Sequence, residues 1–454
     1  MHIGNTHVFA LVDSGADISV MNPAMINKYS DLQKLTVLAL DRGYMCTATN
    51  EHTEITGMIF MIVKINGKNA NCKIYLNQNN LRLIDRDAFA ELIKLEIIYM
   101  HSNNLVEIKD NAFQEMWFSL QVLYSDYFSL CCTVGDIDHC EPIDLFASCT
   151  DLLKREALRI LMLIIGIAAL LGNLVVIIRR VIENDFNVQS ILITNLAVSD
   201  LLMAVYMIVI AGADMYYRGR YARYATIWKT SFLCSFAGFI STLSSECSVF
   251  ILMIMSFDRA VTIAYPFSTK RLNRKRCIKI MGIVWLTVIT ISILPVCNRL
   301  SFVNIPYFED NYYGRQSVCL ALPLTADRSP GWQYAITIFL AFNFFSFTVI
   351  AGSYISIYIS VKRTASTVNR GKRRAEEIKM ATKMVIIVLT DFMCWFPIIL
   401  MGIGSEAGAW KLPDEIYVWS ATFIIPINSS LNPYLHTIAY MFKKKKNTPA
   451  HINY

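Results

Sequence analysis

The residues best placed to do chemistry in this chain are ionisable groups set inside long apolar runs. Asp200 lies in NLAVSDLL, Glu246 lies in LSSECSVFILMIMSF, and an Asp258-Arg259 pair closes that second run. A charge at the centre of a bilayer costs about 2.5–3.5 kcal/mol on insertion scales, so each such group must face protein or water, or sit at an interface. Glu246 is therefore expected to point into a protein interior, and Asp258-Arg259 to mark the membrane boundary. The chemistry these groups offer is the pairing and separation of charge. Other polar residues follow the same logic. Asn173, Ser248, Asn428, Ser429 and Asn432 all stand within apolar stretches, where each is costly unless hydrogen-bonded.

The elements that must carry them are membrane helices. The chain has 454 residues, 55% of them hydrophobic and 12% aromatic, with a mean hydropathy of +0.42. The apolar excess begins near Ile160, and the first 155 residues read as soluble material. Beyond that point come repeated runs able to cross about 30 Å of hydrocarbon at about 1.5 Å per helical residue. Seven spans are predicted, near residues 157–180, 188–213, 231–264, 277–297, 332–361, 378–404 and 413–441. Connections at 179–190, 265–279 and 362–383, with the tail Lys443 to Lys446, hold 20 Lys and Arg, whereas those at 214–230, 298–331 and 405–415 hold 8. The positive-inside rule then puts the amino terminus outside and the tail in the cytoplasm. The net charge of +7 is mostly this asymmetry, so the basic runs do not indicate nucleic acid.

A distinct residue type in almost every span carries a family resemblance. Asn173, Asp200, Cys234, Asp258-Arg259, Trp285, Cys394-Trp-Phe-Pro397 and Asn432-Pro433 occur in order, and together residues 157–442 resemble the rhodopsin-like receptors. The resemblance implies an all-α seven-helix bundle. It also implies a sodium and water pocket formed by Asp200, Ser248, Asn428 and Asn432, and a Cys234–Cys319 disulfide tying the third helix to the second outer loop. Asp258, Arg259, Tyr354, Glu377, Trp395, Pro397, Asn432 and Pro433 would form the switch and the G-protein contact. Pro397 removes a helix hydrogen bond and gives the sixth span a hinge beside Trp395. Glu377 would pair with Arg259 at rest, and an agonist would separate them by favouring the open arrangement. The run Lys372-Arg-Arg374, with Lys379 and Lys383, would meet the G protein or anionic lipid. Ala260, His436 and Ser346 depart from the superfamily pattern, which usually has an aromatic, a tyrosine and a proline there.

A narrower likeness rests on Ser244-Ser-Glu246-Cys-Ser248-Val, Arg218-Gly-Arg-Tyr221 before Trp228, Asn311-Tyr-Tyr-Gly314 before Val318-Cys319, Thr390-Asp391-Phe-Met-Cys-Trp395 and Pro426-Ile-Asn-Ser-Ser-Leu-Asn432-Pro. These look like the relaxin-family peptide receptors that carry leucine-rich repeats. The implied partners are an insulin-like or relaxin-like peptide outside, a heterotrimeric G protein inside and membrane lipid around the bundle, with no nucleic acid among them. The implied output is cyclic AMP through the stimulatory G protein.

The front of the chain carries two further patterns. KIYLNQNNLRLIDRDAF and IIYMHSNNLVEIKDNAF match at six positions with a spacing of 24, a leucine-rich-repeat signature, with a faint third unit at Leu120 to Leu123. Such units bury their leucines only against neighbours. Ahead of them, Phe9-Ala-Leu-Val-Asp13-Ser-Gly-Ala-Asp17, Ala48-Thr-Asn50, Ile55-Thr-Gly57 and Met58 to Ile65 resemble a retroviral-type aspartic protease, cut short near Cys72. In that family two chains each give one aspartate, and the close pair shares a proton and activates water. Asp13 would be the one catalytic candidate, a vestigial one, and the chain is not expected to be an enzyme. Cys131, Cys132, Cys140 and Cys149 allow three disulfide pairings, and with His139 they make a weaker zinc candidate.

The expected organisation is a β-rich retropepsin-like fragment at 1–72, partial leucine-rich repeats at 73–130, a cysteine-bearing hinge at 131–156, the seven-helix domain at 157–442 and a basic tail at 443–454. The expected function is a plasma-membrane receptor without a cofactor other than an allosteric sodium ion. A chimeric or incomplete receptor that binds no hormone, with retroelement sequence joined to it, is the alternative. The first ten residues show no secretory signal pattern.

Overall fold

The computed structural model describes the backbone of short strands ahead of residue 96. With side chains it describes 96–362 outside 102, 104, 106–119, 135–136, 143, 185, 266–270, 299–307, 309–310 and 322–330, and then most of 389–404 and 415–435. Asp13, Glu377, Asp391, Lys372 to Arg374, Lys379, Lys383, His436 and the basic tail lie outside the described residues. The chain divides into two units, Met1–Asp144 and Leu145–Tyr454.

The first unit is built on a six-stranded sheet. Its strands are β1 (Leu35–Val37), β2 (Phe60–Lys64), β3 (Cys72–Tyr75), β4 (Leu95–Met100), β5 (Val122–Ser125) and β6 (His139–Glu141), hydrogen-bonded in that order. β1, β2 and β3 are antiparallel, and β3 to β6 are parallel. The sheet thus runs without a break across Cys72, where the sequence suggests a boundary. Ile74 stands opposite Ile98, and Ile98 opposite Leu123. Side chains alternate as a pleated strand requires: Ile98, Met100 and Leu123 are buried. On the other face Tyr99 stacks on Tyr124 at 4.8 Å. Asn103 turns back beyond β4, donating from its amide to the Met100 carbonyl at 3.0 Å, and so satisfies backbone where the strand ends. Of the three pairings open to the cysteines, the structure has Cys131–Cys140. Among the described residues no group of His, Cys, Asp and Glu is arranged to hold a metal ion.

In the second unit, five helices among the described residues are long and apolar enough to cross a membrane: Glu156–Glu183, Val188–Tyr217, Phe232–Ala264, Arg274–Asn298 and Trp332–Lys362. They are called here the first to fifth spans. The sixth and seventh spans are described in pieces, as Phe392–Met401, Asp414–Trp419, Ser420–Ile424 and helical residues at 426–435. The first span shows why such runs pack. Leu158, Met162, Ile165, Ala169, Asn173 and Val176 recur at helical spacing and are buried, while Ile160, Ile164, Leu171, Val175 and Ile178 are exposed. Its end is marked by Asn184, whose left-handed φ of 47° stops the helix. The second and third spans start at capping side chains: Asn187 accepts from the Ser190 amide, and Ser231 from the Cys234 amide.

Two features differ from the expected organisation. The connection at 214–230 contains a helix, Tyr221–Lys229, whose Tyr221, Ala225 and Trp228 are buried. Residues 145–155, placed in the hinge by sequence, belong to the unit of the spanning helices. There Phe146, Ala147, Leu152 and Leu153 are buried. The Tyr221 and Ala222 amides donate to the Thr150 and Cys149 carbonyls at 3.1 and 3.0 Å. Asp214, fully buried, accepts from the Leu153 amide at 2.8 Å and is paired with Arg159. A buried carboxylate needs such donors, and it fixes the segment to the outer ends of the first two spans.

Candidate functional site

The third span is the axis of the site, as its length and its polar residues suggest. Its polar side chains face two sides. Toward the second span, the hydroxyls of Ser199 and Ser244 each donate to the other residue's carbonyl, at 2.8 and 2.7 Å. Ser199 also meets Ser248 at 2.7 Å. This three-serine contact brings the two helices close and aims Ser248 at Asp200. Ser248 donates to one carboxylate oxygen at 2.9 Å and the Asn432 amide donates to the other at 2.8 Å. Ser429 bears on the same carboxylate. Asp200 is fully buried, and Asn428 is buried one turn before Asn432.

Asn173 completes the polar seam by donating to the Ser429 carbonyl at 3.0 Å and to the Ala169 carbonyl at 2.9 Å. Close packing accompanies it, since a Cβ on Gly172 would lie 2.7 Å from Pro433. The site therefore unites Asp200, Ser248 and Asn432 directly and seats Asn428 beside them. Its free valence is on Asn432, whose amide oxygen is buried without a partner among the described residues. A carboxylate, a hydroxyl and an amide oxygen are hard donors of the kind that fit a hard cation.

At the outer end of the third span, Cys234 is bonded to Cys319. Tyr206 donates to the Val318 carbonyl at 2.9 Å, and Trp228 donates to the Ser317 carbonyl at 2.7 Å. The loop approaches so closely at Tyr313 that a Cβ on Gly238 would lie 2.4 Å from its ring, so only glycine fits. A small pocket beneath the loop is lined by Met203, Tyr206, Ser241, Ser245, Leu320 and Phe339, with Ala421 and Pro426 from the seventh span. Trp395, buried, stacks on Phe339 at 6.1 Å, and Pro397 follows it at the expected place in the sixth span.

At the inner end, Arg259 is buried and donates to Asp258 at 2.6 Å. Its Nε has no partner among the described residues, and neither has the Tyr354 hydroxyl. Tyr354 packs on Ala260, Ile263 and Ile357, a cluster that joins the third and fifth spans. Among the described residues, the inner end thus holds a guanidinium whose Nε is unpartnered, near a tyrosine.

Some contributors were not singled out from sequence. Ser199 looks like an ordinary serine in an apolar run, and Ser244 enters the sequence reading only as part of a family motif. Asn195 accepts from the Trp285 indole at 2.8 Å. Asn343 donates to Glu246 at 3.3 Å. Only the cost of an unpaired polar group in hydrocarbon signals them, and that cost does not name the partner.

Residues 172–436, more than half of the chain, match the family described as 7 transmembrane receptor (rhodopsin family). The G-protein coupled receptor GRL101 of Lymnaea stagnalis is 43% identical over 321 residues, which are 70% of this chain and 28% of that protein. Relaxin receptor 2 of Homo sapiens is 32% identical over 331 residues, 72% of this chain and 43% of the receptor. Relaxin receptor 1 of Homo sapiens is 32% identical over 323 residues, 70% and 42%. The chain spans less than half the length of these relatives. The matched stretch contains the Asp200 site, the outer disulfide and the Asp258-Arg259 pair, and on this match the chain belongs to the rhodopsin family of seven-transmembrane receptors.

Proposed function

We propose that this chain is a plasma-membrane receptor for an insulin-like or relaxin-like peptide, with its amino terminus outside, that acts through the stimulatory G protein to raise cyclic AMP. The observation that carries the reading is the inner end of the third span, where the Nε of a buried Arg259, near Tyr354, has no partner among the described residues, Glu377 lying outside them. Similarity to the relaxin receptors supports the class of ligand. The parallel strands β3, β4 and β5 support a leucine-rich-repeat arrangement for 73–130, because Ile74 and Ile98 share one register 24 residues apart. An allosteric sodium ion would be held by Asp200, Ser248 and Asn432, with Asn428 nearby, and would supply fixed positive charge within the bundle.

In this reading the sequence of events is a shift of population. The Asp200 site holds the second, third and seventh spans in one arrangement, and the outer disulfide fixes the loop above the pocket. A ligand that favours the open arrangement shifts the balance only by its differential affinity for the two states. Arg259 then leaves Asp258 and meets the G protein.

The test is cyclic AMP in cells expressing the full chain, with insulin-like peptides applied and surface protein measured in parallel. The expected result is a peptide-dependent rise that a deletion of residues 1–72 retains. No rise with any peptide, at normal surface amount, would contradict the ligand and coupling assignment and favour a receptor lacking hormone binding.

A further inference from the structure

The face of the third span opposite Asp200 carries a second buried carboxyl, Glu246, that the site described above does not use. It is 2% exposed. One oxygen accepts from the Asn343 amide at 3.3 Å, and the other has no partner among the described residues. Asn343 also donates to the Phe339 carbonyl at 3.2 Å. Its position in the fifth span explains why that matters. Residues Thr337–Phe342 form a π-helical turn, and regular α-helix resumes at Asn343. A π turn takes in an extra residue, so relative to a continuous α-helix it rotates everything after it by about 100°. No proline stands in this span to enforce such a turn, Ser346 being where one would be usual.

We propose that Glu246 is the positioning residue for the π turn of the fifth span, and so for Tyr354 beside Arg259. Asn343 bridges the turn's Phe339 carbonyl and the third span, so the bond to Glu246 selects the register in which the helix continues. Tyr354 lies 11 residues on, about three turns, on nearly the same face as Asn343. With the turn in place, Tyr354 and Ile357 pack on Ala260 and Ile263. If the helix relaxed to uninterrupted α geometry, the rotation would carry both residues off that contact. The consequence for signalling rests on the reading of Arg259 given above, but the structural claim does not.

The test is cysteine cross-linking between Ile263→Cys and Ile357→Cys in the full chain in cell membranes, read per molecule so that yield does not enter. Glu246→Leu and, separately, Asn343→Ala are expected to slow the cross-link by about tenfold, the scale of one buried hydrogen bond. Glu246→Gln, which keeps an acceptor oxygen, is expected to cross-link as the parent does. Equal rates in Glu246→Leu and the parent would overturn the proposal, as would loss in Glu246→Gln. Cyclic AMP is read in parallel. Its absence in every variant would count against the signalling reading and leave the cross-link result to decide the role of Glu246.

Discussion

Replacing Arg259 by alanine is expected to abolish peptide-stimulated signalling while leaving a measurable fraction of the receptor at the surface. Among the described residues the buried arginine has the Asp258 carboxylate as a partner and none at its Nε. Two consequences of its removal must be separated. The first is loss of the group proposed to engage the G protein, which on that reading removes output altogether. The second is a stability cost, because Asp258 is buried and would lose its cation. Breaking a buried ion pair from one side costs about 3–5 kcal/mol. Surface amount should therefore fall, but less than signalling. Arg259→Lys restores charge without the planar fork and should recover surface amount more fully than output. Signalling per surface molecule separates the two, and an unchanged value in Arg259→Ala would remove this arginine from the mechanism.

The second large effect is expected at the outer disulfide. Cys234–Cys319 closes a loop across a sequence separation of 85. On the chain-entropy account, a loop of that size contributes about 4–5 kcal/mol. Cys319 also holds a φ of 54°, a left-handed conformation rare for a side-chain-bearing residue. Such a conformation costs about 1–3 kcal/mol and persists only when its surroundings enforce it. The bond from Tyr206 to Val318 and that from Trp228 to Ser317 depend on the same placement. Cys319→Ser should thus unfold the outer loop, and Cys234→Ser should do the same. Little receptor of either kind should reach the surface, and thermal denaturation of the remainder should begin well below that of the parent. A parent-like melting temperature in Cys319→Ser would show that the hydrogen bonds alone hold the loop.

The spanning helices were legible because hydrocarbon imposes a length and a composition, and both are written in consecutive residues. That Asp200 needs partners follows from the same cost, whereas Ser248 and Asn432, the partners it has, were implied only by the resemblance to rhodopsin-like receptors. What the same rule does not tell is geometry between helices. Ser199 and Ser244 exchange hydrogen bonds across 45 residues, and although Ser244 stands in the motif of the narrower likeness, nothing local marks the two as partners. Asn343 reaches Glu246 across 97 residues from a turn that no proline announces.

Outside the spans the sequence was less informative for a different physical reason. The helix Tyr221–Lys229 is short, basic and aromatic, and its stability comes from burying Tyr221, Ala225 and Trp228, with no long apolar stripe to announce it. Residues 145–155 read as hinge because they contain Cys149, the last of the four clustered cysteines. Their four buried apolar side chains and the Asp214 carboxylate instead attach them to the helices. Of the six positions matched in the repeat pattern, Ile74 stands opposite Ile98 and Ile84 opposite Ile108 in parallel strands.

The most direct measurement of the central claim is nucleotide exchange on purified stimulatory G protein, with membranes carrying the full chain, with and without a relaxin-like peptide. The account predicts faster exchange in the presence of the chain, a further increase with peptide, and neither with the Arg259→Ala form at matched surface amount. Exchange no faster than with empty membranes, from a chain whose Cys234–Cys319 bond is intact, would contradict it.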